Sequence, residues 1–447
     1  MASSVEDLAR ANLSVETEVT RKVFNRLIWF LFVAMLAMTL DRGNIAFAAL
    51  SMNKALGLSA TAFGLATTFY SLGFVAAEIP SNMALSRFGA RLWIARIMIT
   101  WGLASTATML VTGTISLYAL RVLLGLAEGG FFPGVILYIS YWFPERQRAR
   151  ATGLVLLAQP ISMVLGAPIS GRILDMGGTL GLAGWRWLFL LEGIPSIVLG
   201  VFAFLWLTDG PAKAGWLTQD ERTVLERTIQ GQELPRPDRS SATLWRELRS
   251  RTLLLLCLGY IGIPMSLGTF ALWSPQIVRA ALSARSSFSY VGWVTAIPAL
   301  CACIFMVYWT ARSDRHRERT WHLIAAVLLT AAGWLVLITS RGAVAQIAGL
   351  CLAAMGAFAS QSLYYPFATA LLSPRARPIG LAAVSASAVL GASVSPIIVG
   401  VLKDVTGSFA GGLLISTGML LVTAVLAFAV TKISVNPPSA ATPIPST

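Results

Sequence analysis

The strongest constraint in this sequence is a series of apolar runs, each long enough to cross a lipid bilayer as a helix. A hydrocarbon core of about 30 Å requires about 20 predominantly apolar residues. Because the bilayer interior offers no hydrogen bonds to an exposed backbone, runs of this length must be helical. Their approximate cores are 24–48, 62–83, 92–112, 116–140, 150–174, 186–208, 252–278, 288–310, 321–339, 343–371, 378–402 and 409–431. The sequence therefore predicts an all-α polytopic membrane protein with twelve transmembrane helices.

The composition supports the same class. Hydrophobic residues make up 56% of the 447 residues, and Asp, Glu, Lys and Arg together make up 12%. A soluble protein carries about 25% charged residues, so this chain cannot cover a water-facing surface of ordinary polarity. The balance excludes a soluble enzyme, a disordered chain and a disulfide scaffold.

The basic residues are concentrated in alternate loops between the apolar runs. The net charge is +14, and cytoplasmic loops of membrane proteins carry an excess of lysine and arginine. This alternation predicts cytoplasmic termini. The sequence shows no basic face with interleaved aromatic residues, so we do not expect nucleic acid as a partner. The arginines of these loops are Arg87, Arg91, Arg146, Arg148, Arg150, Arg312, Arg315, Arg317, Arg319, Arg375 and Arg377.

The order of polar and apolar segments predicts five regions. Motifs recur between the two halves at nearly constant spacing: Pro168 and Asp175 in the first half correspond to Pro396 and Asp404 in the second. Such repetition favours two duplicated six-helix bundles that transport by alternating access. The predicted regions are a cytoplasmic N-terminal tail (1–22), an N-terminal bundle (23–208), a cytoplasmic linker (209–251), a C-terminal bundle (252–432) and a disordered C-terminal tail (433–447).

Cysteine and histidine give no pattern typical of a metal or redox site. Cys257, Cys301, Cys303 and Cys351 lie inside apolar runs, where reduced thiols behave as small hydrophobic groups. The only histidines belong to or adjoin a charged loop. We therefore expect no metal and no cofactor, and any proton coupling must use carboxylates.

Charged residues inside the predicted spans need a reason, because each costs about 2.5–3.5 kcal/mol at the bilayer centre on insertion scales. Arg121 and Glu128 lie seven residues apart and share one helix face, separated by a rise of about 10 Å. This spacing suits a site in which a substrate carboxylate meets the guanidinium and a titratable acid lies below it. The other candidates are Asp41, Arg42 and Glu78, whereas Arg186 and Glu192 lie nearer a span end and favour a structural role.

Asp41 is expected to reach a depth similar to that of Arg121. We predict that Asp41 pairs with Arg121 or Arg42 when no substrate is bound, so that protonation of the carboxylate frees the arginine for an anion. The alternative is a buried ion network that only organises helices.

Several longer motifs resemble one transporter family along nearly the whole chain. They are similar to the anion:cation symporter branch of the Major Facilitator Superfamily, and most of all to bacterial tartrate, phthalate and hydroxyphenylacetate permeases. The motifs are Leu40-Asp41-Arg42-Gly43-Asn44, Glu78-Ile79-Pro80-Ser81-Asn82, Arg121-Val122-Leu123-Leu124-Gly125-Leu126-Ala127-Glu128, Tyr141-Trp142-Phe143-Pro144 and Gly184-Trp185-Arg186-Trp187 with Glu192-Gly193.

The resemblance implies proton-driven uptake of an organic anion across the bacterial inner membrane. It assigns protonation to Asp41 and Glu128, and anion binding to Arg42 and Arg121. The expected partners are a small organic anion and the bilayer, with the proton as coupling ion and a monomer as the functional state.

The sequence departs from the family at two places. Ser86-Arg87 lacks the acid that usually precedes this loop arginine, whereas Asp314-Arg315 keeps it. Ser385 and Val389 replace two asparagines of tartrate-like carriers, which favours an aromatic or less hydroxylated carboxylate. The further candidates for substrate binding are Asn44, Phe74, Gln159, Trp273, Gln276, Gln361, Tyr364, Tyr365 and Ser385, and those for gating are Glu78, Arg87, Arg91, Asp314 and Arg315.

Other functions stay open at this point. An exchanger of drugs or anions is the nearest rival, since Gly166–Gly171 is a partial version of a motif common in exporters. An intramembrane enzyme would need a nucleophile–base pair or a metal set inside the bilayer, so we expect that the chain is not an enzyme. A sensor with this fold would require an added output domain.

Overall fold

The computed structural model describes residues 2–230, 250–283, 285–373 and 377–435, and the α-helix dominates all four segments. Within them we number sixteen α-helices in chain order. They are α1 (Ala2–Leu56), α2 (Ala60–Phe88), α3 (Ala90–Ala107), α4 (Thr114–Glu128), α5 (Phe131–Trp142), α6 (Glu145–Leu156), α7 (Ala158–Leu174), α8 (Gly184–Trp206), α9 (Gln219–Gln230), α10 (Arg251–Tyr260), α11 (Gly262–Ala281), α12 (Phe288–His316), α13 (Thr320–Thr339), α14 (Ala343–Leu371), α15 (Arg377–Thr406) and α16 (Ala410–Val435).

The predicted all-α membrane fold is confirmed. Over the described residues, 11 helical segments are long and apolar enough to cross a membrane, including the interrupted pairs Thr114–Trp142, Gln147–Leu174 and Arg251–Ala281. The predicted third span corresponds to α3, which is not among these segments, because Arg91 and Arg96 lower the hydropathy of its 18 residues.

The ends of the predicted regions differ from the helix boundaries. The segment predicted as an N-terminal tail is continuous with the first span, since α1 begins at Ala2. In the linker, α9 begins with a reciprocal cap in which Glu221 Oε2 accepts from the backbone N–H of Thr218 at 2.8 Å. Arg375 and the segments 231–249 and 436–447 lie outside the described residues.

The chain separates into two compact units. Unit 1 comprises the described residues within 1–58, 65–237 and 287–293, and unit 2 those within 59–64, 238–286 and 294–447. Large buried aromatic residues form each core, as expected where helices pack closely. They include Trp101, Trp142 and Trp185 in unit 1 and Trp273 and Trp334 in unit 2.

The internal duplication reappears as a repeated contact at two helix beginnings. In unit 1, Asp175 accepts hydrogen bonds from the backbone N–H groups of Phe288 and Ser289, both at 2.9 Å. In unit 2, Asp404 accepts from the N–H groups of Ala60 at 2.9 Å and Thr61 at 2.7 Å. Each carboxylate therefore satisfies backbone donors that the first helical turn leaves without an intrahelical partner.

The Asp175 carboxylate is stabilised in its ionised form. Partial burial acts to raise the pKa of this group, but hydrogen bonds from Ser289 and Phe288 outweigh burial, and the net effect lowers the pKa below its usual range. The cap is therefore fully charged at neutral pH.

We predict that Asp175→Ala destabilises the protein by about 1 kcal/mol, because the loss of a helix cap costs about that much. Asp404→Ala should have a similar effect, and Glu226→Ala on α9 is the control. Since folding lowers the pKa of Asp175, its contribution is present above pH ~4 and is lost as the pH falls through that range. Thermal unfolding in detergent at several pH values measures both effects, and equal stability of Asp175→Ala and the wild type would contradict the cap.

Candidate functional site

The fourth span is broken at the position of its acid. Helix α4 ends at Glu128, and α5 begins at Phe131 after two glycines. Gly130 has a φ of 89°, a left-handed conformation that side chains other than glycine rarely adopt. The carboxylate of Glu128 therefore lies where the regular helix is interrupted, inside the protein and with 1% exposure.

Glycines bring α2 and α4 into close contact beside this break. A Cβ at Gly125 would overlap the carbonyl oxygen of Tyr70, and one at Gly73 would overlap that of Val122. Small residues at such crossings allow helix backbones to approach closely. This approach places the Tyr70 side chain next to Glu128.

Arg42, Glu128 and Tyr70 form one hydrogen-bonded group. Arg42 Nε donates to Glu128 Oε1 in an ion pair, and the Tyr70 hydroxyl donates to Oε2 at 2.6 Å. The guanidinium carbon of Arg42 lies 4.8 Å from the ring centre of Phe74, within the range of a cation–π interaction. Because 35% of the Arg42 side chain is exposed whereas Glu128 is buried, the arginine forms the accessible end of the pair.

Asp41 has different partners from those predicted. Ser105 on α3 donates its hydroxyl to Asp41 Oδ1, and Asn44 donates its amide to the same oxygen at 3.0 Å. The prediction that Asp41 pairs with an arginine is wrong for this structure, because Arg42 is engaged by Glu128 and no ion pair of the described residues includes Asp41. Asp41 is nevertheless buried, at 2% exposure.

Arg121 is a buried cation of the site, and some of its hydrogen-bond donors are unused. Its side chain is 4% exposed, and its Nε and Nη2 atoms have no hydrogen-bond partner among the described residues. The guanidinium carbon lies 5.9 Å from the ring centre of Phe189. A buried guanidinium with unused donors is costly, so this position favours the binding of an anion.

The predicted gating residues are partly or fully exposed. Arg91 Nε donates to the carbonyl oxygen of Phe204 at 2.6 Å, and its backbone N–H donates to Asp209 at 3.1 Å. Asp314 lies 3.9 Å from Arg319. Arg87 and Arg315 are exposed and Glu78 is half-buried.

Two predicted binding residues of unit 2 contact each other. The Tyr365 hydroxyl and the Ser385 hydroxyl lie 3.0 Å apart, and the ring of Tyr365 packs edge-on against Tyr260 with centres 5.4 Å apart. Gln361 is exposed, on the same helix as Tyr365. In unit 1, Gln159 is half-buried.

Three other predicted contacts of unit 2 are occupied by the protein itself. Tyr364 is 1% exposed and donates to the carbonyl oxygen of Leu256 at 2.6 Å. Trp273 is 0% exposed and packs against Phe409 with ring centres 5.6 Å apart. Gln276 Oε1 accepts from the Lys403 ammonium at 2.9 Å. These positions favour packing rather than ligand contact.

Sequence reasoning missed several residues of the site. Tyr70 and Ser105 hydrogen-bond to the two acids, and Tyr260 joins the tyrosine cluster of unit 2. A tyrosine or serine within an apolar run is common, so its type alone carries no signal. The glycines Gly73 and Gly125, on the second and fourth predicted spans, are the sequence signal for the close approach that positions Tyr70.

Comparison with known proteins gives the same class as the fold and site. The model of the Major Facilitator Superfamily matches residues 31–286 and 257–446. A protein of Agrobacterium vitis named as a candidate tartrate transporter is 42% identical over 422 residues, which cover 94% of this chain and 96% of that protein. A quinolone resistance transporter of Acinetobacter baumannii is 33% identical over 423 residues, or 94% and 96% of the two chains.

A solved structure has the same fold. The crystal structure of a bacterial homologue of the human lysosomal transporter Spinster aligns with a TM-score of 0.77 and 16% identity, over 94% of this chain and 98% of that one. The family model, the relatives and the apolar helices together define a multi-pass membrane transporter. The chain belongs to the Major Facilitator Superfamily, which confirms the family resemblance and the prediction that it is not an enzyme.

We predict that Gly125→Ala disrupts the α2–α4 contact and destabilises the protein by about 1–3 kcal/mol, because an added methyl group has no space there. Gly153→Ala on α6 is the matched control, since a Cβ at that position meets no atom within 4 Å. Thermal unfolding of both variants in detergent provides the comparison. Equal stability of the two would show that the close approach does not exist.

Proposed function

We propose that this protein is a proton-coupled symporter that takes up an organic carboxylate by alternating access. The observation that carries the proposal is Arg121, a buried guanidinium whose Nε and Nη2 donors are unpaired. An arginine fork matches a carboxylate in a bidentate geometry. The family membership makes a transported anion, rather than a fixed structural one, the natural occupant.

A second cation of unit 1 favours a substrate with two acidic groups or with hydroxyl groups beside one. Arg42 is partly exposed and is held by Glu128, so it becomes available when Glu128 is neutral. Asn44 and Phe74 adjoin Asp41 and Arg42, respectively. Tartrate is the substrate class that we test first, since the 42% identical relative is named for it, and an aromatic acid such as phthalate is the alternative.

The Arg42–Glu128 pair supplies the coupling step. When Glu128 is ionised, it holds Arg42 and accepts from the Tyr70 hydroxyl. Protonation removes the charge that attracts the guanidinium, and Arg42 can then bind an anionic substrate. Because the buried charges balance only when proton and substrate arrive together, carriage of one favours carriage of the other. Asp41 is the second proposed protonation site.

The remaining features of the proposal follow from this mechanism. The carrier would act as a monomer in the bacterial inner membrane with cytoplasmic termini. It would need no cofactor other than the proton.

An exchanger is the second candidate function. The 33% identical relative is named as a quinolone resistance transporter, and Gly166–Gly171 on α7 resembles an exporter motif. Uptake into proteoliposomes separates the two functions, since a symporter accumulates external tartrate when the outside is acidic, whereas an exchanger requires a counter-substrate inside.

We predict that Arg121→Ala loses the thermal stabilisation that tartrate or a related acid gives to the purified protein. Hydrogen bonds to charged groups contribute about 1.5–3 kcal/mol each, so the loss of even one of the two should lower the affinity at least roughly tenfold to a hundredfold. Arg172→Ala, an exposed arginine of α7, is the control. An unchanged ligand-induced shift in Arg121→Ala would remove the proposed anion site.

We predict that Glu128→Gln binds substrate and catalyses counterflow, yet does not accumulate substrate in response to a pH gradient. Glutamine keeps an acceptor for Tyr70 but cannot exchange a proton. Radiolabelled uptake into proteoliposomes, with and without a pH gradient, measures both activities. Gradient-driven accumulation by Glu128→Gln at the wild-type level would refute the coupling role.

A further inference from the structure

Glu192 is a buried carboxyl group that the mechanism above does not use. It lies on α8 in unit 1, with 8% exposure. Ser170 on α7 donates its hydroxyl to Glu192 Oε1 at 2.7 Å. The other oxygen, Oε2, is buried and has no hydrogen-bond partner among the described residues.

Glu192 forms no ion pair with a cation of the described residues. The ion pairs found within the described residues do not include it. The helices packed against α8 are α1, α3 and α7. The charged residues on these helices include Arg26, Asp41 and Arg42 on α1, Arg91 and Arg96 on α3, and Arg172 on α7, and α8 itself carries Arg186. Because a buried carboxylate without a cation is costly, this environment suits an uncharged acid.

Two further hydroxyl groups lie on the helix segments next to Glu192. Ser196 follows Glu192 by one helical turn, is 0% exposed and has no hydrogen-bond partner within the described segments. The hydroxyl of Thr106 on α3 occupies the space that a Cβ on Gly193 would fill, and it is also unpaired there. A hydroxyl can donate to a carboxylate and accept from a carboxylic acid. In this structure only the Ser170 hydroxyl bonds to Glu192 among the described residues, and a hydroxyl can serve the carboxyl group in either protonation state.

The segment of α3 that contains Thr106 also contacts Asp41. Ser105 precedes Thr106 on α3 and donates to Asp41, and α1, which carries Asp41, packs against α8, which carries Glu192. Two acids in one apolar core disfavour simultaneous ionisation. A proton gained by one of them therefore changes the proton affinity of the other.

We propose that Glu192 is a third proton-exchanging acid of this carrier, besides Glu128 and Asp41, and that it lies in the same helix-packed core as Asp41. The number of protons that accompany each substrate would then depend on Glu192. This inference rests on the proposed proton-coupled transport. Its structural alternative is that Glu192 only fastens α7 to α8 through Ser170.

Two variants separate the proton from the hydrogen bond. Glu192→Gln keeps an oxygen that accepts from Ser170 but cannot release a proton, whereas Ser170→Ala removes the hydrogen bond and keeps the acid. The measurement is the equilibrium accumulation of labelled tartrate in proteoliposomes as a function of the imposed pH difference, at zero membrane potential. The slope of the logarithm of the accumulation ratio against the pH difference equals the number of coupled protons.

We expect Glu192→Gln to have a slope lower by one proton than the wild type while it retains counterflow, and Ser170→Ala to keep the wild-type slope. A wild-type slope in Glu192→Gln would overturn the proposal. If the wild type itself shows no slope, the proposed function fails instead, and the two failures are thereby distinguished.

Infrared spectroscopy of the purified protein gives a readout that does not depend on transport. We expect Glu192→Gln to remove one carbonyl band of a protonated carboxylic acid. Ser170→Ala should shift that band to higher frequency, because the carbonyl oxygen loses its donor. If both variants keep the wild-type spectrum in this region, Glu192 is not a protonated acid and the proposal is wrong.

Discussion

The charged site of unit 1 is centred on one buried cation, the guanidinium of Arg121, whose charge must be balanced inside the protein. Arg121 lies almost fully inside the protein, and two of its donors have no partner in the described part of the chain. Transferring a cation from water into the protein interior costs free energy, and attraction to a bound anion offsets part of that cost. We therefore propose that this position binds an anion and that protonation of the neighbouring acids controls when it binds. Asp41 and Glu128 supply negative charge nearby but leave the fork of Arg121 open.

The paired and unpaired arginines have different functions. Arg42 forms an ion pair with Glu128, and in the proposed mechanism it becomes available to substrate when Glu128 is protonated. This arrangement requires the acid at a break in its helix and a tyrosine brought within hydrogen-bond distance by glycines at a helix crossing. Helix packing thus sets the electrostatics: without the close approach of α2 to α4, Glu128 would lack one of its two partners. In unit 2, the candidate residues make neutral contacts with each other, as in the pair of the Tyr365 and Ser385 hydroxyl groups.

The fold could be predicted from the apolar runs because membrane spans follow from hydropathy and length alone. The charged members of the site could be predicted because a charge within such a run is rare and demands a reason. Which charged residues pair with each other could not be predicted from the sequence. Whether Arg42 contacts Asp41 or Glu128 depends on the rotation and depth of helices that are far apart in sequence. The same limit explains why Tyr70 and Ser105 were missed and why Tyr364 and Trp273 were assigned to ligand contact although they are core residues.

The most direct measurement of the central idea is an experimental structure of the purified protein with bound tartrate. The account predicts that one substrate carboxylate lies within about 2.7–2.9 Å of Nε and Nη2 of Arg121, as in a bidentate charged pair. It also predicts that Arg42 has moved from Glu128 towards the substrate. A bound tartrate that contacts neither arginine, with Arg121 still unpaired, would contradict the account.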